Sequence, residues 1–178
     1  TPSNPWVAVG WRKPSDVEMP VARYLAKKNI AFEGVGAERI EPDHNRVRLR
    51  DGRTLDYDYL VIATGPRLAF DEVTGLGPEG GYTHSICTTP HAATAWQAYQ
   101  AFLENPGPVV VGAAPLARCF GPAYEFAMLL DSDLRKRRLR DRVPITYVSP
   151  ESYVGHMGLG GVGDSKGMME SEFGQRPI

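Results

Sequence analysis

Cys119 and Glu125 have the residue types and spacing for nucleophilic or redox chemistry. A thiol ionises to a nucleophilic thiolate, and a carboxylate six residues further on can take up or return the proton. They lie in Val109–Glu125, which reads Val-Val-Val-Gly-Ala-Ala-Pro-Leu-Ala-Arg-Cys-Phe-Gly-Pro-Ala-Tyr-Glu. Three β-branched residues behind Pro108 predict a buried parallel strand, Gly112 a turn, and a helix follows from about Gly121. This is the strand–turn–helix frame in which dinucleotide-binding proteins carry G-x-G-x-x-G. Here the three positions hold Gly112, Ala114 and Ala117, with Pro115 between them. A methyl group and a proline where the second glycine would stand hinder close approach of a pyrophosphate. The stretch therefore reads as a nucleotide-binding unit that has exchanged its nucleotide for a thiol. At a helix entrance, backbone amides and the helix dipole favour the thiolate. Taken alone, it equally fits an ordinary βαβ turn with a buried cysteine.

Composition bounds the function classes. The chain has 178 residues, enough for one or two units with a real core, and a net charge of −1 that argues against a polyanionic partner such as nucleic acid. Nineteen glycines and fifteen prolines predict abundant turns. The two cysteines, Cys87 and Cys119, are too few for a disulfide scaffold and lack the spacing of a zinc site, so no metal is expected. No apolar run approaches the ~20 residues of a membrane span, and no signal peptide opens the chain. It starts at Thr1 without a methionine and ends at Ile178 without a finished element, so a piece of a longer protein is expected.

The elements that must position these residues follow in order. Thr1–Gly10 reads as loop, and Ser15 with Glu18 as a capping box opening a helix that ends near Asn29. Ala31–Val35 is a candidate short strand. Ala37–Glu41, Arg46–Arg50 and Thr54–Asp56 predict a meander, with Asp51-Gly52 as a hairpin turn. Tyr57–Ala63 reads as a buried strand that stops at Thr64-Gly65-Pro66. Leu68–Tyr82 is glycine-rich loop. Thr88 or Thr89 caps a helix with Pro90 at its start, and Trp96, Tyr99 and Phe102 recur on it at core spacing. After the helix that follows Cys119, the basic stretch Arg135–Arg142 reads as a solvated helix end, with an anionic lipid surface as the rarer alternative. Pro144–Ser149 is a strand, Gly155–Gly163 a glycine-rich loop around His156, and Lys166–Phe173 a last helix.

Strands alternating with helices, plus one meander, predict an α/β, Rossmann-like chain holding parts of two dinucleotide-binding-type domains. Residues 1–104 would be a partial FAD-type domain lacking its opening βα unit, and residues 105–178 the start of a second, truncated one.

Four stretches carry a family resemblance. Asp56–Pro66, Asp-Tyr-Asp-Tyr-Leu-Val-Ile-Ala-Thr-Gly-Pro, resembles the strand and turn that close onto FAD in flavoproteins with two dinucleotide-binding domains. Thr1-Pro-Ser-Asn-Pro-Trp with Gly10-Trp-Arg-Lys, Ser85-Ile-Cys-Thr-Thr-Pro-His91 and Cys119-Phe-Gly-Pro-Ala-Tyr-Glu-Phe126 are similar to sulfide:quinone oxidoreductase, and Val154–Asp164 extends the likeness. The resemblance implies a path of two electrons from sulfide to a cysteine sulfur, then to FAD, then to a membrane quinone. It implies that Cys119 is the redox cysteine beside the flavin, with its partner beyond Ile178, and that Cys87 lies near the sulfide entry side. Glu125 and His91 would handle protons, with His156 matching a motif histidine in the same pocket, while Pro2, Ala37, Thr64 and Gly65 would touch FAD, largely through backbone. It further implies a peripheral protein of a bacterial-type cytoplasmic membrane, attached through a C-terminal segment outside this chain, and leaves room for a homo-oligomer. The nearest alternative, a flavocytochrome c-type sulfide dehydrogenase, typically keeps only the redox pair, so Cys87 argues against it. A type II NADH dehydrogenase would want an intact glycine fingerprint and no Cys119. A non-catalytic, FAD-free Rossmann-like domain is the rival of a different class.

Overall fold

The structure is a computed structural model, and it describes every residue except Thr1, Arg118, Leu159, Gly161 and Val162. The threonine of the first motif and part of Val154–Asp164 therefore lie outside the described residues. The chain forms two compact units, one of Thr1–Glu18 with Ala69–Ile178 and the other of Met19–Leu68.

The first unit is built on a parallel strand pair. β4 (Val109–Gly112) and β5 (Ile145–Val148) align Val109 with Ile145 and Gly112 with Val148, and α5 (Gly121–Lys136) lies between them in sequence. The expected strand–turn–helix frame is present, with one difference. Val111 and Ile145 are buried, whereas Val110 is 70% and Val148 52% exposed, so the pair covers one face only. The Ala113 N–H donates to the Val148 carbonyl at 3.0 Å, and a Cβ on Gly112 would overlap that oxygen. Strand closure alone thus requires glycine there.

Helices supply the core. On α5, Tyr124, Ala127, Leu130 and Leu134 are buried along one stripe. α4 (Thr89–Glu104) starts where the capping residues predict, the Thr88 hydroxyl accepting from the His91 N–H at 3.2 Å. Tyr99 is buried, and Trp96 and Phe102 pack beside it, as their spacing indicates. α6 (Ser165–Gln175) brings Phe173 against Tyr124 and Tyr147, ring centroids 5.5 and 5.1 Å apart.

Thr1–Gly10 is not simply loop. Asn4–Ala8 forms α1, whose Val7 and Ala8 bury against Ala92 and Ala95 of α4. Five residues do not hold a helix in water by propensity, so packing on α4 and α5 sustains it. The helix expected from Ser15 to Asn29 is two short ones, α2 (Pro14–Val17) and α3 (Ala22–Ala26), with Pro20 between them unable to continue the ladder. The first is opened by the Lys13 N–H donating to Asp16 Oδ2 at 2.9 Å rather than by Ser15 with Glu18.

Two carboxylates on α5 are buried. Asp133 accepts from the Trp11 indole at 2.8 Å, the Tyr99 hydroxyl at 2.8 Å and Arg137 Nε at 2.6 Å. Asp131 accepts from Arg135 Nε at 2.9 Å, Arg140 Nε at 2.6 Å and Arg176 Nη1 at 3.1 Å. Arg140 also donates to the carbonyls of Val143, Arg176 and Pro177 at 2.6–2.7 Å, and its side chain is only 11% exposed. Most of the basic stretch is a solvated helix end, as its charge indicates, but Arg140 is drawn inward by buried Asp131.

The second unit contains α3 and an antiparallel meander in the order β1 (Ala37–Glu41), β2 (Arg46–Leu49), β3 (Thr54–Asp56). The hairpin turns at Asp51-Gly52 as expected, and ion pairs such as Arg46–Asp56 at 2.8 Å decorate its surface. Ala31–Val35 is not a strand. Neither is Tyr57–Ala63, where Tyr59 is 94% and Val61 85% exposed. Among the described residues no strand pairs with it, and a parallel strand exists only where neighbours accept its backbone hydrogen bonds.

Candidate functional site

Cys119 sits where the sequence places it, immediately before buried Phe120 and the first residue of α5, Gly121. Its thiol is free and exposed, so the residue is no core cysteine. Pro122 in the first turn has no N–H to leave unsatisfied, which suits a helix start. From that start an apolar groove of about 290 Å³ runs along α5, lined by Gly121, Tyr124, Glu125, Met128, Leu129 and Ser132 on one side and Met157 and Met169 on the other. Glu125 is the one carboxylate in this lining. Its Oε1 accepts from the Trp6 indole N–H at 3.1 Å, across 119 residues of sequence.

His156 is half-buried in the turn after β5, its ring edge-on to Tyr153 at 5.1 Å between centroids. A network tied to α5 fastens this turn. Glu151 accepts from the Tyr124 hydroxyl at 2.8 Å, the Ser149 hydroxyl at 2.7 Å and the Met157 N–H. The Tyr124 oxygen in turn accepts from the Gly155 N–H at 2.8 Å, and the Ser165 hydroxyl donates to the Gly155 carbonyl at 2.7 Å. Gly155 has a φ of +85°, and a Cβ there would overlap the Ser165 carbonyl oxygen. Burial, reinforced by Glu151, pushes the Tyr124 phenol above its ordinary range, so it remains a neutral donor.

A Glu151→Gln variant presents one amide oxygen to three donors that now share a carboxylate. It is expected to lower the opening free energy of residues 151–158 by about 1–3 kcal/mol. Faster amide hydrogen exchange at Gly155 and Met157, with a smaller change in global unfolding, is the measurement. Unchanged exchange would show that the network does not hold the turn.

Cys87 and His91 occupy the entrance of α4. Cys87 is exposed, and its N–H donates to Ser85 Oγ at 3.2 Å. The His91 ring packs against Phe70 at 5.8 Å, its Nε2 lies 3.8 Å from Glu79 Oε1, and its buried Nδ1 has no hydrogen-bond partner among the described residues. The entrances of α4 and α5 are joined through α1. Buried Asn4 accepts from Thr89 Oγ1 at 3.4 Å, and Trp6 reaches Glu125.

Of the positions expected to touch a flavin, Pro2 lies in an exposed turn of the first unit. Ala37, Thr64 and Gly65 are exposed in the second, where Ala37 opens β1 and pairs with Leu49. Gly65 has a φ of +73° with open space around its Cβ position.

Trp6, Tyr124 and Glu151 are site residues that residue-type reasoning passes over. A signal existed for Glu151, since it follows the carboxyl end of a parallel strand, where α/β sheets place their sites. Trp6 lay within a motif already singled out, but its partner could not be read from it.

No protein-family model matches the chain. Among curated proteins it is 48% identical over its full length to "Sulfide-quinone reductase" of Aquifex aeolicus, of which it covers 40%. It is 32% identical to the mitochondrial "Sulfide:quinone oxidoreductase" of Dictyostelium discoideum over 61% of the chain and 25% of that protein. Among solved structures, the sulfide:quinone oxidoreductase from Aquifex aeolicus superposes over the whole chain, and over 41% of its own, with a TM-score of 0.91 at 47% identity. The chain thus spans about two fifths of the Aquifex relative's length. From end to end, in sequence and in fold, these 178 residues match one part of a sulfide-quinone reductase.

Proposed function

We propose that this chain, extended to the length of its relatives, oxidises sulfide to sulfur or polysulfide and passes two electrons through FAD to a membrane quinone. The observation that carries this reading is the exposed Cys119 thiol at the mouth of α5, with Glu125 in the groove that begins beside it. When bound, FAD supplies the two-electron acceptor that lets sulfide sulfur join a cysteine sulfur. Pro2, Ala37, Thr64 and Gly65 would hold it by backbone.

The chain's own residues then bind sulfur and move protons. Cys119 is the nucleophilic sulfur and works with a partner cysteine in the remainder of the protein. Glu125 takes the proton released as sulfide adds, at the oxygen not bonded to Trp6. His156, on its fastened turn, serves the same pocket; at the head of α4, His91 shares the proton handling and Cys87 lies near the sulfide entry side. In domain terms, residues 1–104 belong to a FAD domain and residues 105–178 open a second Rossmann-like domain. Among the described residues no helix is long and apolar enough to cross a membrane. The proposed association with a bacterial-type cytoplasmic membrane is peripheral, through a C-terminal segment outside this chain.

The test is a visible absorption spectrum of the full-length protein before and after anaerobic sulfide, with NADH as control. Flavin absorption bleached by sulfide and not by NADH is the expected result. Bleaching by NADH alone, or folded protein without flavin, would overturn the reading.

A further inference from the structure

We propose that Trp6 is a positioning residue that holds the Glu125 carboxylate as a one-sided proton acceptor; this rests on the proton role given to Glu125 above. An indole has one donor and no acceptor. Trp6 Nε1–H therefore engages Oε1 alone, at 3.1 Å, and leaves Oε2 to the groove that Glu125 lines. A donor fixed at one oxygen sets the rotamer of the carboxylate, so its orientation toward the groove is held by the fold.

The platform under Trp6 is fixed. Asn4, Pro5, Val7 and Ala8 are buried around it, and Asn4 is tied to Thr89 at the head of α4. From the following turn, the Trp11 N–H donates to the Trp6 carbonyl at 2.8 Å, and the Arg12 guanidinium stands 5.2 Å from the centre of the Trp6 ring. The indole thus has packed neighbours on its own helix side and a cation over its face. Its placement is set by the fold rather than by Glu125. One short helix thereby registers the entrance of α4, which carries Cys87 and His91, with the carboxylate of α5.

The experiment compares Trp6→Phe, Glu125→Gln and the double variant in the full-length flavoprotein, following sulfide-driven flavin reduction as a function of sulfide concentration. Phenylalanine keeps an aromatic ring at the position and removes the donor. In Trp6→Phe, the limiting rate of reduction is expected to fall roughly three- to tenfold, with the sulfide concentration for half-maximal rate unchanged. The double variant is expected to be no slower than Glu125→Gln. Independently of activity, 15N-tryptophan labelling reports the indoles of this chain, Trp6, Trp11 and Trp96, among those of the full-length protein. The Trp6 indole resonance is expected to shift in Glu125→Gln, while Trp11, bonded to Asp133, stays in place as control; an unmoved Trp6 resonance would overturn the contact.

If Glu125→Gln slows reduction while Trp6→Phe keeps the parent rate, the positioning role is overturned alone. A Trp6→Phe loss that adds to that of Glu125→Gln in the double variant also overturns it, since a merely structural defect has that form. Parent-like reduction in Glu125→Gln removes the proton role and the positioning role with it.

Discussion

Cys119→Ser in the full-length protein is expected to slow sulfide-driven flavin bleaching by on the order of 10³-fold or more, with the colour and fold retained. Serine keeps the shape of the side chain but not the acidity: a hydroxyl does not ionise near neutral pH, and only the thiolate accepts sulfane sulfur. The variant is clean because Cys119 is exposed and packs no core, so its effect on stability falls within about 0.5 kcal/mol. Anaerobic stopped-flow absorbance is the measurement, with Cys87→Ser as the companion expected to lose less. Parent-like bleaching in Cys119→Ser would move the sulfur chemistry to another residue.

The largest structural effect is expected at Asp131. It is fully buried and ligates three arginines, of which Arg140 is itself nearly enclosed. Alanine at this position leaves the nearly enclosed Arg140 guanidinium without its carboxylate, while Arg176 keeps, among the described residues, only Glu172, at 3.3 Å. Roughly 3 kcal/mol of stability should go with the carboxylate, a fall in Tm of about 6–12 °C for a chain of this size. The sign of the pH dependence follows from the same contacts. Burial alone would raise the Asp131 carboxyl, but the donors from Arg135, Arg140 and Arg176 outweigh it and hold the group below the usual carboxylate range. A folded value below the unfolded one, near 3.9, means the stabilisation is fully present above that value and is lost as pH falls through the folded value. Thermal unfolding of parent and Asp131→Ala should therefore differ most at neutral pH and converge in acid. Equal Tm at pH 7 would show that the arginines find other partners at no cost.

Local pattern determined a good part of this protein. The capping threonine and early proline of α4, the Asp51-Gly52 hairpin, the spacing of Trp96, Tyr99 and Phe102, and the frame from β4 through Cys119 into α5 all stand as the residues indicate. Each depends on neighbours within a turn or two of helix or one pair of strands, and such neighbours leave a period in the sequence. The motif residues around Cys119 also carry the family likeness in their sequence alone.

Tertiary structure decided the rest. Only packing against Ala92 and Ala95 makes Asn4–Ala8 a helix, and only the Val148 carbonyl explains why Gly112 tolerates no Cβ. Tyr57–Ala63 has the composition of a buried strand, yet composition cannot supply the neighbouring strands that would bury it. Arg140 looks like a solvated charge until Asp131 is seen nine residues earlier, and Trp6 meets Glu125 across 119 residues. A hydrogen bond between distant positions imposes no periodicity on either, so the folded chain alone shows which donor faces which acid.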